Sequence, residues 1–316
     1  MTDTTSNNDT KIPAAHQGKF VPLPPGHGQT NNLHKPGQTY WSDAWRRLRH
    51  NRMAMLSLYT IILIILLAVF GPMFSPYTHS DQFLDKQGLG PCRQHWFGTD
   101  SLGRDLLVRV LHGARISLAV GFAASLINLT VGVLYGGIAG LVGGRVDNVM
   151  MRIVDIFYSI PLVLYVILLM VVIGPGLKSI FIALGMVYWL EMARVVRARI
   201  LSLKEQEFVM AARALGASRA RILFRHLIPN CMGPIIITVS MNIPLAIFTE
   251  AFLSFLGLGV AVPMASWGML ASDALPAFRS YPHMLFFPAM AISITMLAFN
   301  FLGDGLRDAL DPRLRK

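Results

Sequence analysis

Charged residues are scarce in this chain of 316 amino acids, where Asp, Glu, Lys and Arg make up 14% of the total. A soluble domain carries about 25%, so the composition argues against an ordinary cytosolic enzyme. Cysteine is also scarce, and the two present, Cys92 and Cys231, are too few for a disulfide framework. We expect neither to carry chemistry. The chain is instead rich in apolar residues, at 53%, which excludes disorder of the whole chain.

The sequence also lacks the short motifs of nucleotide, zinc and ester chemistry. It contains no G-x-x-x-x-G-K-[ST] phosphate loop, no H-E-x-x-H pair and no G-x-S-x-G nucleophile elbow. The nine histidines show no metal-ligand clustering. We therefore expect a chain that is not catalytic by itself and that binds no cofactor or metal.

Charge-poor apolar runs recur along the chain, and a spanning helix needs about 20 mainly apolar residues. The runs predict six spanning helices, at 53–74, 116–144, 156–177, 179 to about 198, 230–249 and 281–303. The uncharged stretch 251–272 contains Gly257, Gly259 and Pro263. We interpret it as a loop or re-entrant segment and not as a seventh span.

The net charge of +11 indicates how these spans are oriented. Six spans place both termini on one side, and 21 of the 28 Lys and Arg residues then fall on that side. Because basic residues are enriched in cytoplasmic loops, both termini are predicted to be cytoplasmic. The same rule accounts for the charge without a nucleic-acid partner.

The N-terminal region divides into two parts. Residues 1–40 are polar and rich in Gly, Pro, Asn, Gln and Thr, which predicts a disordered cytoplasmic tail. In the segment 41–52, Trp41, Trp45 and Leu48 share one helical face among four arginines. This pattern is typical of an amphipathic helix in the lipid headgroup layer. A basic extension of the first spanning helix fits equally well.

The most informative segment is the basic cytoplasmic connection 194–229. Strong helix formers occupy 207–215, Gly216 suits the left-handed position after a helix end, and Ser218 suits the N-cap of a second helix, 219–227. The first helix is predicted to present one small apolar face, formed by Phe208, Ala211, Ala212 and Leu215. Such a face needs a partner, which could be the membrane surface, the chain's own helix ends or a groove in another protein.

The same segment resembles the ATPase-coupling loop of binding-protein-dependent ABC importers, whose pattern is E-A-A, a following glycine and a late proline. Here the E-A-A positions are Met210, Ala211 and Ala212, the glycine is Gly216, and the proline is Pro229. Met210 departs from the usual acidic residue. That position therefore offers no carboxylate for a salt bridge, although the fit of a helix into a groove is unaffected.

Five further stretches resemble the C-type permease subunit of oligopeptide and dipeptide ABC importers, over about 41–316. They are FGTDSLGRD at 97–105, HGARISLAVG at 112–121, EAFLSFLGLG at 250–259, SWG at 266–268 and GDGLRDALDPRLR at 303–315. The resemblance implies an all-α, polytopic membrane protein with six transmembrane helices, the type I permease fold of ABC importers and cytoplasmic termini. It is less specific for cargo, because nickel and glutathione importers are similar.

The resemblance also implies a function. The chain would be the non-catalytic permease subunit of an ATP-driven importer of oligopeptides in the cytoplasmic (inner) membrane of a bacterium. The implied partners are a second homologous permease subunit, two ABC ATPase subunits that carry ATP and Mg, an extracytoplasmic peptide-binding protein and membrane lipid. The alternatives are a related nickel, dipeptide or glutathione permease, or a secondary transporter driven by an ion gradient. The latter would need a relay of membrane-embedded ionisable groups, for which we find few candidates.

The predicted organisation follows from these patterns. It comprises the tail 1–40, an interfacial helix 41–52, a first span 53–74, an extracytoplasmic loop 75–113, a core permease domain 114–303 with the coupling loop 199–229, and a cytoplasmic C-terminus 304–316. The residues implied to couple to the ATPase are Glu205, Glu207, Phe208, Met210, Ala211, Ala212, Leu215, Gly216, Ala217 and Ser218.

Three residues are candidates for the translocation path or its gate: Glu250, Ser254 and Trp267. Glu250 is the only acid between 230 and 272, and its place in the fifth run puts it near the far membrane interface. It could line the pore and meet a peptide N-terminus. Alternatively, it is an interfacial carboxylate held by nearby backbone N–H groups.

Two other groups of residues allow a structural or a functional interpretation. Asp100, Arg104 and Asp105 either contact the binding protein, or pair with each other and cap a helix that begins near 101–104. Gly132, Gly136 and Gly140 form two overlapping G-x-x-x-G steps, which are typical of close helix packing. We expect that packing to occur within this chain and not between subunits.

Overall fold

The computed structural model describes residues 40–259 and 264–311. The chain divides into two units, Met1–Tyr40 and Trp41–Lys316, and the spanning helices belong to the second. The predicted disordered tail lies, apart from Tyr40, outside the described residues, as do the last five residues of the predicted C-terminus.

The described residues form helices and turns, with one isolated bridge between Thr99 and Asp105 as their only extended pairing. The expected all-α fold is confirmed. The helices are α1 (Tyr40–His50), α2 (Arg52–Met73), α3 (Leu106–Val142), α4 (Gly144–Ser159), α5 (Leu162–Ile173), α6 (Leu177–Leu203), α7 (Glu207–Ala214), α8 (219–230), α9 (Met232–Leu258), α10 (Trp267–Ala274) and α11 (His283–Leu310).

Five of these helices are long and apolar enough to cross a membrane, namely α2, α3, α6, α9 and α11. A sixth crossing exists if α4 and α5 together make one span, and these two helices meet at an angle of 81°. The prediction of a continuous helix over 156–177 is therefore wrong. The backbone turns extended at Ile160, because the ring of Pro161 disfavours a helical conformation in the residue before it.

Helix α3 begins at Leu106, ten residues before the apolar run 116–144 that predicts the second span. Asp105 caps α3 by accepting a hydrogen bond from the backbone N–H of Val108 at 2.9 Å. The helix also carries a charged residue, Arg109, in its buried first turns. Sequence reasoning placed this charge outside the membrane segment, but an ion pair with Asp100 makes its burial possible.

Two cytoplasmic segments also differ from expectation. At the end of the predicted second span the chain makes a single turn at Gly143 and enters α4 without a longer loop. The N-terminal segment forms α1, which is separate from α2 because Asn51 adopts an extended conformation between them and caps α2. A continuous extension of the first span is therefore wrong, and only Leu48 of the predicted apolar face is buried, while Trp41 and Trp45 are exposed.

The three glycines of α3 pack within the chain, as predicted. An added Cβ at Gly136 would collide with the carbonyl oxygen of Ala193, and one at Gly132 would lie 2.6 Å from Cβ of Met192. Gly140 faces Ile200 in the same way. These contacts bring α3 against α6 along most of the cytoplasmic half, and they require a residue without a side chain on α3.

Residues 251–258 of the stretch 251–272 continue the fifth spanning helix, so the loop predicted over the whole stretch is wrong for this part, while the described residues contain no seventh span there. Helix α9 runs through Leu258, and Gly257 takes a left-handed conformation, φ +79°, that favours glycine. Residues 260–263 are not described. The chain then enters α10, which packs against α3, α9 and α11.

Candidate functional site

The segment 199–229, for which a coupling role is predicted, folds into two short helices about a glycine, as the sequence predicts. After α7, Gly216 has φ +79° and its N–H bonds to the carbonyl of Arg213 at 2.9 Å. The N–H of Ala217 bonds back to the carbonyl of Ala212 at 3.0 Å. These bonds close the helix end, and the Ser218 hydroxyl caps α8 by accepting from the N–H of Arg221 at 3.3 Å.

Helix α7 divides its apolar residues between two faces. Val209 is fully buried and Ala212 is nearly so, and both pack on apolar residues of α6 and α8. Phe208 (37%) and Met210 (51%), which lie on different sides of α7, are exposed, and so is Leu215 (89%), just after the helix end. Ala212 therefore belongs to the inner face and not to the predicted partner-facing one. Because α7 is apolar on both sides, its sequence pattern could not reveal which residues turn inward.

The exposed face of α7 is surrounded by charges without ion pairs. Within the part of the chain that the structure describes, no salt bridge involves Glu205, Glu207 or Arg213. The same is true of Arg219 and Arg221, at the start of α8. This segment thus combines an exposed apolar surface with charges that no intramolecular partner neutralises.

The candidate gate residues come together, but inside the protein. Glu250 has no exposed surface, and its carboxyl accepts hydrogen bonds from the hydroxyls of Ser254 at 2.8 Å and Ser117 at 3.1 Å. The alternative of an interfacial carboxylate held by backbone N–H groups is thereby corrected, because hydroxyls hold it. The Ser117 hydroxyl also accepts a hydrogen bond from the backbone N–H of Trp267 at 3.3 Å. The hydroxyl oxygens of Ser266 and Ser254 lie 3.4 Å apart.

This Glu250 cluster joins three helices, α3, α9 and α10. The indole of Trp267 is almost completely buried and donates to the carbonyl of Val110 at 2.9 Å. Sequence reasoning missed Ser117 and Ser266, since serines in apolar runs carry no pattern of their own. A gate role for the cluster stays a prediction, and it requires α10 to separate from α3.

A second buried polar network holds the extracytoplasmic loop onto α3. Asp100 pairs with Arg104 at 2.7 Å and with Arg109, and its other carboxylate oxygen accepts from the backbone N–H groups of residues 102 and 104. Asp105 bonds His95 at 2.8 Å. The predicted pairing of Asp100 with Arg104 is confirmed. Asp105 instead pairs with His95 and caps a helix that begins at Leu106 and not near 101–104.

Arg109 reaches a further carboxylate on α10, Asp273, at 4.0 Å. Partial burial raises the pKa of the Asp273 carboxyl above its usual range, although the neighbouring Arg109 acts in the opposite direction. The contact is long and Asp273 is half exposed, so this pair contributes less than the buried one with Asp100.

Comparison with known proteins assigns the family. Residues 132–316, more than half of the chain, match the family described as binding-protein-dependent transport system inner membrane component. The chain belongs to this family. Residues 39–91 of the permease also match the N-terminal transmembrane domain of oligopeptide transport permease C. With its apolar helices, the permease is a multi-pass protein of the inner membrane.

Similar proteins cover nearly the whole permease. It is 52% identical to the oligopeptide transport system permease protein OppC of Bacillus subtilis, over 94% of this chain and 97% of the relative. It is 50% identical to the dipeptide transport system permease protein DppC of the same organism, over 91% and 90%.

A solved structure shares the fold. The MetNI methionine ABC transporter in inward-facing conformations aligns with a TM-score of 0.53 and 19% identity, over 64% of this chain and 96% of that one. The predicted fold of an ABC importer permease is confirmed. The roles of individual residues in coupling and gating stay predictions.

Proposed function

We propose that this permease carries peptides inward across the inner membrane as one transmembrane subunit of an ATP-driven importer. Peptide cargo is supported by the curated relatives, which are named for oligopeptide and dipeptide transport and are almost equally similar. The proposed assembly contains a second homologous permease subunit, two ABC ATPase subunits, an extracytoplasmic peptide-binding protein and surrounding lipid. ATP and Mg belong to the ATPase subunits, and this chain is non-catalytic and binds no cofactor.

The observation that carries the coupling role is the exposed apolar surface at α7. Phe208 and Met210 present large side chains from α7, and Leu215 does so from the residue that follows the helix. Apolar area removed from water contributes about 25 cal/mol per Å², so a groove that covers these side chains would gain stability. A short helix inserted in a groove is an established mode of protein recognition.

Helix α7 is also connected to the spanning helices in a way that suits coupling. Val209 and Ala212 pack on residues of α6 and α8, and Leu203 at the end of α6 belongs to the same core. Closely packed interiors have low compressibility and transmit displacement. Movement of an ATPase groove would therefore shift α7 together with α6. The energy for that shift comes from the ATPase, since a ligand moves an equilibrium only by its differential affinity.

The decisive variants remove the surface without disturbing the core. Leu215→Asp places a charge at an almost fully exposed position. Gly216→Asp strains the left-handed turn after α7, where φ is +79°, although no atom lies within 4 Å of an added Cβ. Both variants are expected to insert normally and to lose peptide-stimulated ATP hydrolysis by about tenfold or more. Asn148→Asp, exposed on α4 and outside 205–221, is the control and should retain stimulation. Normal peptide uptake by both variants would remove the coupling proposal.

A separate experiment tests the assembly and the energy source. Affinity purification of the tagged permease from mild detergent should recover a second permease and P-loop ATPases. Uptake of a labelled tetrapeptide should stop on ATP depletion and persist with a protonophore. Recovery of this chain alone, with uptake that fails under the protonophore, would favour a secondary transporter.

A further inference from the structure

A groove of about 950 Å³ lies on the extracytoplasmic half of the molecule, between α2, α3 and α11. Its volume falls in the range of about 300–1,000 Å³ typical of small-molecule sites. The walls below the mouth are mainly apolar. They include Ile64, Leu67, Leu111, Phe287, Met290 and Ile294. The residues predicted for coupling do not line this groove. Among the three gate candidates, only Trp267 forms part of its wall.

The mouth of the groove has a different chemistry. Tyr77, Arg93, Gln94 and Trp96 lie there, all in the extracytoplasmic loop. Tyrosine and tryptophan are enriched where a membrane meets water, because their rings are apolar and their polar atoms remain hydrated. The groove therefore passes from an interfacial rim to a hydrocarbon-like interior.

Arg93 gives the mouth an uncompensated positive charge. It is exposed, and no ion pair joins it to any residue in the described ranges. The one carboxylate in the lining, Asp105, is already engaged by His95 at 2.8 Å and by the N–H of Val108 at 2.9 Å. An anionic group at the mouth would thus meet an arginine with free donors.

The depth of the groove matches one membrane leaflet. Along α11 the lining extends from Phe286 to Thr295, and along α2 from Gly71 back to Ile64. At a rise of 1.5 Å per residue these spans correspond to about 13.5 and 10.5 Å. Half of the hydrocarbon core measures about 15 Å. An acyl chain entering from the outer surface would lie along most of this distance.

We propose that the groove binds an acyl chain of an outer-leaflet glycerophospholipid, whose phosphate lies against Arg93. The apolar walls suit hydrocarbon, whereas the backbone of a peptide would leave polar groups unpaired there. An inserted helix from a partner subunit would fill the walls but would give Arg93 no anionic partner. Because the groove lies between α2 and both α3 and α11, the bound lipid fastens the first span to the core of the permease.

The first test uses the purified complex in vesicles of phosphatidylglycerol that carries a diazirine on one acyl chain. A diazirine near the ester is expected to label α11 around Phe286, and one near the terminal methyl to label it around Ile294. Labelling spread over all lipid-facing sides of α2 and α11, without this dependence on depth, would overturn the proposal. Protection of the groove together with cross-links to the second permease would also overturn it, in favour of a partner helix.

Matched variants test the same site independently. Ala291→Phe fills the groove from α11, whereas Ala289→Phe adds the same volume to that helix outside the lining. We expect the first to reduce labelling about tenfold and the second to leave it unchanged. Arg93→Gln should reduce labelling about fivefold, while the exposed Arg279→Gln should not. Equal labelling in Arg93→Gln and wild type, at normal levels of membrane insertion, would refute the headgroup contact.

Discussion

At the extracytoplasmic end of the permease, Asp100, Arg104 and Arg109 are buried and paired with one another. At the cytoplasmic end, the charges of 205–221 are exposed, and within the described chain none has an ionic partner. Both regions are charged segments next to the membrane. Only one of them is satisfied by the chain's own contacts.

The difference separates charges that maintain the fold from charges that are available to partners. A buried charge costs several kcal/mol in lost hydration, so it persists only where the geometry of its partners is good. An exposed charge incurs no such cost and can be kept for another protein or for lipid. Arg93 lies in the extracytoplasmic loop, but it resembles the cytoplasmic arginines. It is exposed, and no residue in the described ranges forms an ion pair with it.

The largest expected effect comes from breaking the extracytoplasmic network. Asp100→Ala leaves Arg104 and Arg109 buried without their carboxylate, which should lower the free energy of unfolding by about 3–5 kcal/mol. Thermal unfolding of the detergent-solubilised permease measures the loss. Asp85→Ala removes an exposed carboxylate of the same loop and is the control, with an expected change within about 0.5 kcal/mol. Equal losses in the two variants would mean that the network does not stabilise the fold.

A smaller effect is expected in the Glu250 cluster. Glu250→Ala leaves the hydroxyls of Ser117 and Ser254 without their acceptor and should cost about 1–3 kcal/mol. Glu250→Gln keeps one carbonyl oxygen as an acceptor, and its amide N–H groups can donate a hydrogen bond to the Ser117 hydroxyl. The loss in free energy of unfolding should therefore be smaller than for Glu250→Ala. The same unfolding measurement orders the two variants. If glutamine is as destabilising as alanine while insertion is normal, the carboxyl group itself, and not only an acceptor oxygen at this position, stabilises the cluster.

Much of the fold could be predicted from the sequence, because few backbone structures can cross a membrane. Apolar runs located the spans, and basic residues oriented them. The errors fell where a local contact overrides composition. Pro161 breaks an apolar run that looked continuous, and Arg109 lies inside a helix because Asp100 pairs with it. A hydropathy average over a window of residues reveals neither the helix break before Pro161 nor the ion pair of Arg109.

The candidate sites were predictable to different degrees. The turn at Gly216 and the cap at Ser218 follow from local rules, and both formed as expected. The inward orientation of Ala212 depends on packing against α6 and α8, which lie outside the pattern that suggested a shared face. Of the two hydroxyls that hold Glu250, that of Ser254 lies one turn further along α9 and belongs to a predicted candidate, whereas that of Ser117 comes from α3 and required the tertiary structure.

The smallest effect on stability is expected for the exposed charges at the cytoplasmic end. It would distinguish them most clearly from the buried charges at the extracytoplasmic end. Glu207→Gln and Arg219→Gln remove exposed charges without ion pairs in the described structure, so each should change the free energy of unfolding by at most about 0.5 kcal/mol. If these charges serve an ATPase, the same variants should weaken its binding, and the deficit relative to wild type should shrink as salt is raised, because exposed charges are screened. Titration of the purified ATPase against the permease at low and high salt measures this. A variant that strongly lowers the free energy of unfolding of the isolated permease would show that its charge stabilises the fold. A variant that changes neither this free energy nor ATPase binding would show that the residue has no part in coupling.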